Sequence, residues 1–381
     1  MPAPASSPDA GAIWHYGDPL GEQRAALTDA VYIDRSHRGV ITLTGPDRLS
    51  WLHSISSQHV ADLSDGATVE NLSLDGQGRV EDHWIQTELA GVSYLDTEPW
   101  RTEPLLAYLK RMVFRAEVVP DAADYGVLSL LGPKLADPNV LKMLGVDALP
   151  DALYAVPLRT GGFVRRMPTH PDGPAVALDL VVPRDQVPAW QQRLQAAGLR
   201  PAGVWTYEAH RVAGLRPRLG VDTDERTIPH EVGWIGTAVH LDKGCYRGQE
   251  TVARVHNLGR PPRMLVLTHL DGSVSRPITG APITAGGRAV GRLGTVVDHV
   301  DLGPVALALV KRGLAADTPL TVNADDAGDE RSREQQKTGD ERSREEQKTE
   351  VALTIDPDTV PVADGVGAGR VAVDRLRGVT R

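Results

Sequence analysis

The chain has 381 residues, about 41 % of them apolar, which suffices for two or three ordinary cores. A formal charge of −9 excludes a general electrostatic grip on nucleic acid or an anionic membrane, and leaves room only for a local basic pocket. Its single cysteine, Cys245, cannot close an internal disulfide or supply the thiolates of a cluster or structural zinc, so no metal site is expected.

Met1 to Ala12 is rich in proline and alanine and lacks the apolar core of a signal peptide. Residues 1–12 therefore read as a disordered tail. No later run reaches the length of a membrane span, so the expectation is cytoplasmic residence with no membrane partner.

Gly39 to Thr44 alternates as a strand, and Gly45-Pro46-Asp47 leads into a helix with Leu49, Leu52 and Ile55 at helical spacing. Val69 to Leu74 and Arg79 to Gln86 read as a hairpin around Asp75-Gly76-Gln77-Gly78. Arg101 to Met112 is an amphipathic helix with Leu105, Leu106 and Leu109 inward. Tyr125 to Leu131 and Val176 to Val182 are strands, the second followed by a helix from Arg184 to Ala197 that carries Val187, Trp190 and Leu194 on one face. Strands, hairpins and amphipathic helices in this rhythm predict an α+β layer built from ferredoxin-like pieces.

Asp242 to Arg247 is a turn rich in glycine and charge, and Gln249 to Leu258 reads as a helix ended by Gly259, Pro261 and Pro262. Cys245 lies just ahead of that helix, between Lys243 and Arg247. The dipole and both cations favour a thiolate, so the thiol is expected to be more acidic than a free one. The same pattern also fits a small buried cysteine in a tight turn. From Arg263 onward, short β-rich runs between glycine and proline turns read as a small antiparallel barrel. An eleven-residue unit at 328–338 recurs at 339–349 without an apolar stripe. It reads as a low-complexity insertion at 324–350, disordered or a solvated helix. Gly365 to Gly369 reads as a loop.

Lys243-Gly244-Cys245-Tyr246-x-Gly248-Gln249-Glu250 resembles the signature of the YgfZ family, folate-binding relatives of the glycine-cleavage aminomethyltransferase, the T-protein. Arg254, Gly259 and Arg263 fill further places of that pattern. In the hairpin Gly78 is kept, Arg79 replaces a second glycine, and Asp82 falls where the first catalytic aspartate would be, followed by His83 instead of a second acid. Arg211, Gly214, Pro217, Gly220 and Asp222 are similar to the passage before the signature, although Ala213 stands where an acid is usual. Pro229 and Glu231 match as well.

The resemblance implies a T-protein-like folate-binding α+β domain over 13–262, in two interleaved subdomains, and a barrel over 263–381. It implies tetrahydrofolate or another reduced folate as cofactor. Cys245 would present a thiolate at the wall of the folate cavity, with Tyr246, Gln249 and Glu250 beside it. Lys243 would tune the thiolate and meet anionic groups. Asp82 becomes a candidate for proton transfer, Asp179 for contact with the pterin, and Arg211 or Arg254 for the glutamyl tail. Each has a plain alternative as a solvated acid or an ion pair. The function implied is support of iron-sulfur cluster assembly or repair, with client or assembly proteins as partners. One-carbon transfer and a non-catalytic scaffold are the alternatives.

Overall fold

A computed structural model describes residues 1–5, 7–272, 275–324 and 349–361. Among the described residues there are three β-structures, and the chain order interleaves the first two. After helix α1 (Pro19–Thr28), strand β1 (Val31–Asp34) belongs to one sheet, and the chain then leaves it to build another.

That other sheet contains β2 (Gly39–Thr44), β3 (Thr68–Leu74), β4 (Val80–Leu89), β5 (Val92–Thr97) and β6 (Val119–Ala123), in the order β3-β4-β5-β2-β6. All its pairings are antiparallel. Helices α2 (Arg48–Ile55) and α3 (Thr102–Met112) cover one face. Ile41, Leu43, Trp84 and Leu95 bury there against Leu52, Leu105 and Leu109. Because side chains alternate along a strand, the neighbours of Trp84 on β4 point the other way.

The chain then returns to the first sheet with β7 (Tyr125–Leu131), helix α4 (Pro138–Leu144), β8 (Ala155–Pro157), β9 (Phe163–Arg166), β10 (Ala177–Pro183), helix α5 (Val187–Ala196) and β11 (Arg200–Ala202). The order is β11-β1-β7-β10-β9-β8, with β1 and β11 parallel. Trp190 and Leu194 of α5 pack on Leu128, Leu130, Leu178 and Leu180. Helix α6 (Val204–Ala213) and helix α7 (Gln249–Leu258) complete this part.

Strands β12 (Arg263–Leu270), β13 (Pro282–Ala285), β14 (Arg288–His299), β15 (Gly303–Lys311), β16 (Leu320–Ala324) and β17 (Thr349–Ile355) close into an antiparallel barrel, as the turn-punctuated sequence predicts. Strand β14 is the longest of them, with an irregular register between Leu293 and Val296. Gly294 has no side chain there, and the Asp222 carboxylate closes on the irregularity, accepting from the Thr295 amide at 2.7 Å and its hydroxyl at 2.8 Å. The barrel is thereby tied to the α+β part.

The expectation of a disordered tail at 1–12 is corrected. Pro2 bridges Ile13, Ala3 and Ala12 are buried, and Asp9 is buried as an acceptor for His37 and Arg218. Composition concealed this because one acid anchors the segment rather than an apolar stripe. The repeat at 328–349 lies outside the described residues except for Thr349, as does Gly365 to Gly369. Among the described residues, no helix is long and apolar enough to cross a membrane.

Candidate functional site

Between the two sheets and the 208–237 passage lies a central cavity of about 290 Å³. Tyr207, Trp234 and Ile85 provide flat apolar walls, and Arg35, Arg216 and His83 provide polar ones. A recess of about 50 Å³, lined by Asp179, Ser129, Tyr207 and His210, shares part of this lining.

Asp179 sits on β10 directly opposite Ser129 of β7 and Arg165 of β9 in register. It is buried, and it accepts from the Ser129 hydroxyl at 2.6 Å and from Arg165 at 3.0 and 3.3 Å. An ionised carboxylate offers about four acceptor sites, so one remains for a ligand donor. Arg35 donates to Ser129 at 2.9 Å and lies 3.6 Å above the Tyr207 ring.

Behind this wall runs a buried chain of ion pairs. Asp222, Arg211, Glu208, Arg218, Glu98, Arg38, Asp96, Arg165 and Asp179 follow one another, each within 3.3 Å of the next. Burial alone would raise the Glu98 carboxyl, but Arg218 and Arg38 outweigh it and hold the group below the ordinary carboxylate range. The chain joins both sheets to the barrel.

Arg211 is one of its links, which corrects the expectation that it holds a glutamyl tail. Its five N–H donors go to Glu208 twice, Asp222, the Arg216 carbonyl and Thr295. No fork remains for a ligand. Arg216, which the sequence did not single out, lines the same cavity with fewer of its donors committed. It is partly exposed and makes longer contacts, 3.3 Å to the Pro168 carbonyl and 3.5 Å to Glu70. Nothing in the sequence distinguishes it from its neighbour Arg218, which is buried.

Asp82 is placed away from the central cavity. It falls on the helix-covered side of β4 with Trp84 and accepts from Arg101 at 2.8 and 2.6 Å. Burial raises its carboxyl, against the pull of Arg101. It lines a separate open cavity of about 890 Å³ with Trp100, Tyr108 and Arg292, which shares no lining residue with the central one. The next residue, His83, takes the central face. Its Nε2 is 3.1 Å from Glu70, and its ring stacks on Trp234 at 4.8 Å and 12°.

The signature turn is also outside the cavity. Lys243 is buried and its ammonium donates to the carbonyls of His53, Ser56 and Gln58 at 2.5, 2.6 and 3.0 Å. All three donors are used within the protein, which corrects its expected role toward the thiol and anions. Burial pulls its pKa down to about 8. Tyr246 packs its ring into the core with Leu72 and Val252, and burial pushes its hydroxyl up to about 12. Gln249 donates to the Lys243 carbonyl at 3.2 Å. Glu250 and Arg254 are exposed on α7, and Cys245 is exposed on the turn. None of these six residues lines the cavity or its recess.

Residues 263–333 match the family model for the CAF17 C-terminal beta-barrel domain. The chain is 28 % identical over 336 residues to an aminomethyltransferase of Streptomyces avermitilis, covering 82 % of this chain and 87 % of that protein. It is 26 % identical over 305 residues to an aminomethyltransferase of Symbiobacterium thermophilum, covering 74 % and 78 %. The crystal structure of glycine cleavage system aminomethyltransferase T from Bartonella henselae superposes with a TM-score of 0.73, 18 % identity and coverage of 94 % and 91 %. The chain has the fold of the glycine-cleavage T-protein and ends in a CAF17-type barrel, and in sequence it is similar to the aminomethyltransferases over most of its length.

Proposed function

We propose that the central cavity binds a reduced folate, and that the protein is a tetrahydrofolate-binding accessory factor for iron-sulfur cluster assembly or repair. The observation that carries the folate reading is the buried Asp179 carboxylate in a recess that shares Tyr207, His170 and Arg216 with the central cavity. The residues fit the group. The free acceptor site of Asp179 suits the amino edge of a pterin, the aromatic walls suit its ring, and Arg216 suits a glutamyl carboxylate. The cavity is near the lower end of the roughly 300–1,000 Å³ of small-molecule sites. The aminomethyltransferase relatives support the same ligand class.

A folate supplies nitrogens that accept one-carbon units. The chain's own residues would bind and orient it, and the aromatic walls would exclude water. Cys245 faces solvent rather than this cavity, which suits a thiol that meets a partner protein. Localisation in the cytoplasm and iron-sulfur clients belong to this reading. One-carbon transfer is the second reading, favoured by the names of the relatives and weakened by the withdrawal of Asp82 from the cavity.

Calorimetric titration with tetrahydrofolate tests the first claim. Wild type should bind, Arg216→Ala should bind about tenfold more weakly, and Cys245→Ala should bind as wild type while failing to restore iron-sulfur enzyme activity in a deletion strain. Absence of binding by wild type overturns the folate reading, and full restoration by Cys245→Ala removes the thiol from the function.

A further inference from the structure

The central cavity contains an acid–imidazole pair that no part of the signature foreshadows. Glu70 on β3 and His83 on β4 occupy diagonal positions of the antiparallel pair, since Leu72 faces His83 and Glu70 faces Ile85 in register. Side chains on that diagonal share a face and reach one another. The Glu70 carboxylate accepts from His83 Nε2 at 3.1 Å, and its other oxygen stands 3.5 Å from Arg216. The Trp234 indole, stacked on the imidazole at 4.8 Å, fixes the plane of the ring. All four residues line the central cavity.

We propose that His83, oriented by Glu70, is the proton donor of this cavity, and that its Nδ1–H meets a lone-pair nitrogen of the bound heterocycle. The inference rests on the folate reading and adds to it a proton-handling group and its chemistry. With Nε2 committed to the carboxylate, Nδ1 is the nitrogen left to face a ligand. When the proton moves, the Nδ1–H bond breaks, its electron pair stays on the imidazole, and an N–H bond forms on the ligand. No other reactant is needed. Burial would raise the Glu70 carboxyl, but His83 and Arg216 outweigh it and lower it to about 2, so the partner of the imidazole stays anionic throughout the neutral range.

Other groups around His83 leave it as the proton donor. Trp234, packed on its ring, does not titrate. Across the cavity stand His170, which burial pushes toward the neutral form, and the ion-paired Arg38, Arg211 and Arg218. The strand alternation that turns Asp82 toward Arg101 turns His83 inward, so the proton function passes from one residue to the next.

The test is calorimetric titration of the full chain with tetrahydrofolate in phosphate and in Tris, which differ in ionisation enthalpy, between pH 6.5 and 8.5. Wild type should take up a proton on binding, and its affinity should fall toward tenfold per pH unit once the imidazole loses its proton. His83→Phe keeps a ring on Trp234, and it should bind with no proton uptake and a flat pH profile. Glu70→Gln should reduce the uptake. In wild type labelled with ¹⁵N-histidine, the Nδ1 resonance of His83 should move toward the protonated form when tetrahydrofolate is added. Binding by wild type without proton uptake, or equal uptake by His83→Phe, overturns the role of His83 and leaves the folate reading intact. No binding by wild type overturns the folate reading, and this inference with it.

Discussion

Gly78 and Gly248 meet backbone to backbone: a Cβ on Gly248 would stand 2.9 Å from the Gly78 Cα and 2.6 Å from the Asp75 carbonyl oxygen. Both glycines hold left-handed backbones, with φ of 77° and 84°. The hairpin turn of β3–β4 and the signature turn are therefore docked through the two residues that lack side chains. Gly248→Ala must displace backbone and adopt a strained φ, at a cost of about 2–4 kcal/mol. Gly244→Ala meets nothing within 4 Å and is the control. Denaturant unfolding of both variants should show a lowered midpoint only for Gly248→Ala, and equal midpoints would mean the two turns are not packed this way.

Lys243 binds the same turn to the end of α2 through three carbonyl oxygens. Lys243→Met keeps the apolar stem and leaves those oxygens without a donor, at a cost on the order of 2–4 kcal/mol. The pH dependence has a defined sign. Burial places the folded pKa at about 8, below the ordinary 10.5, so between these values the unfolded chain holds more protons than the folded one. Wild type should gain stability relative to Lys243→Met as pH rises through that window. A stability difference that shrinks there would contradict the buried ammonium.

Asp82 pairs with Arg101 outside the central cavity, whereas His83 lines it. Asp82→Asn weakens the pair with Arg101 and should lower stability by about 1–3 kcal/mol, while leaving tetrahydrofolate affinity within about twofold of wild type. Calorimetry on the purified variant decides this. A loss of affinity near tenfold would place the carboxylate within reach of the ligand after all.

The contrast shows which parts of the molecule were legible in the sequence. Helix α7 was, because Val252 and Val255 set its apolar side and Gly259 stops it in the left-handed conformation expected of a C-terminal cap. The barrel was legible from alternation and turn residues. The face on which Asp82 lies was not. Strand period tells that residues 82 and 83 point apart, but not which of them looks toward a cavity whose lining is gathered from Arg35 to Thr237. The last donor commitment of Arg211 and all three of Lys243 were hidden for the same reason, since those acceptors come from Thr295 and from His53, Ser56 and Gln58. Residue type announces a charge; only the assembled neighbours decide whether that charge is already satisfied.

The N-terminal segment gives the sharpest case. Asp9 accepts from Arg218 at 3.0 Å and from His37 at 2.9 Å, and Arg218 lines the central cavity. Asp9→Asn leaves Arg218 paired with Glu98 and Glu208, so the cavity wall should persist and the loss should be moderate, about 1–3 kcal/mol. The segment itself should be released, and limited proteolysis should then cleave within residues 1–16 in the variant but not in wild type. Burial would raise the Asp9 carboxyl, but the His37 hydrogen bond and Arg218 outweigh it and hold the group below its usual 3.8. The stabilisation is thus present above that value and lost as pH falls below it, so the stability difference between wild type and Asp9→Asn should shrink on acidification from about pH 5. Identical proteolysis of the two proteins would show that the segment is held by something other than this carboxylate.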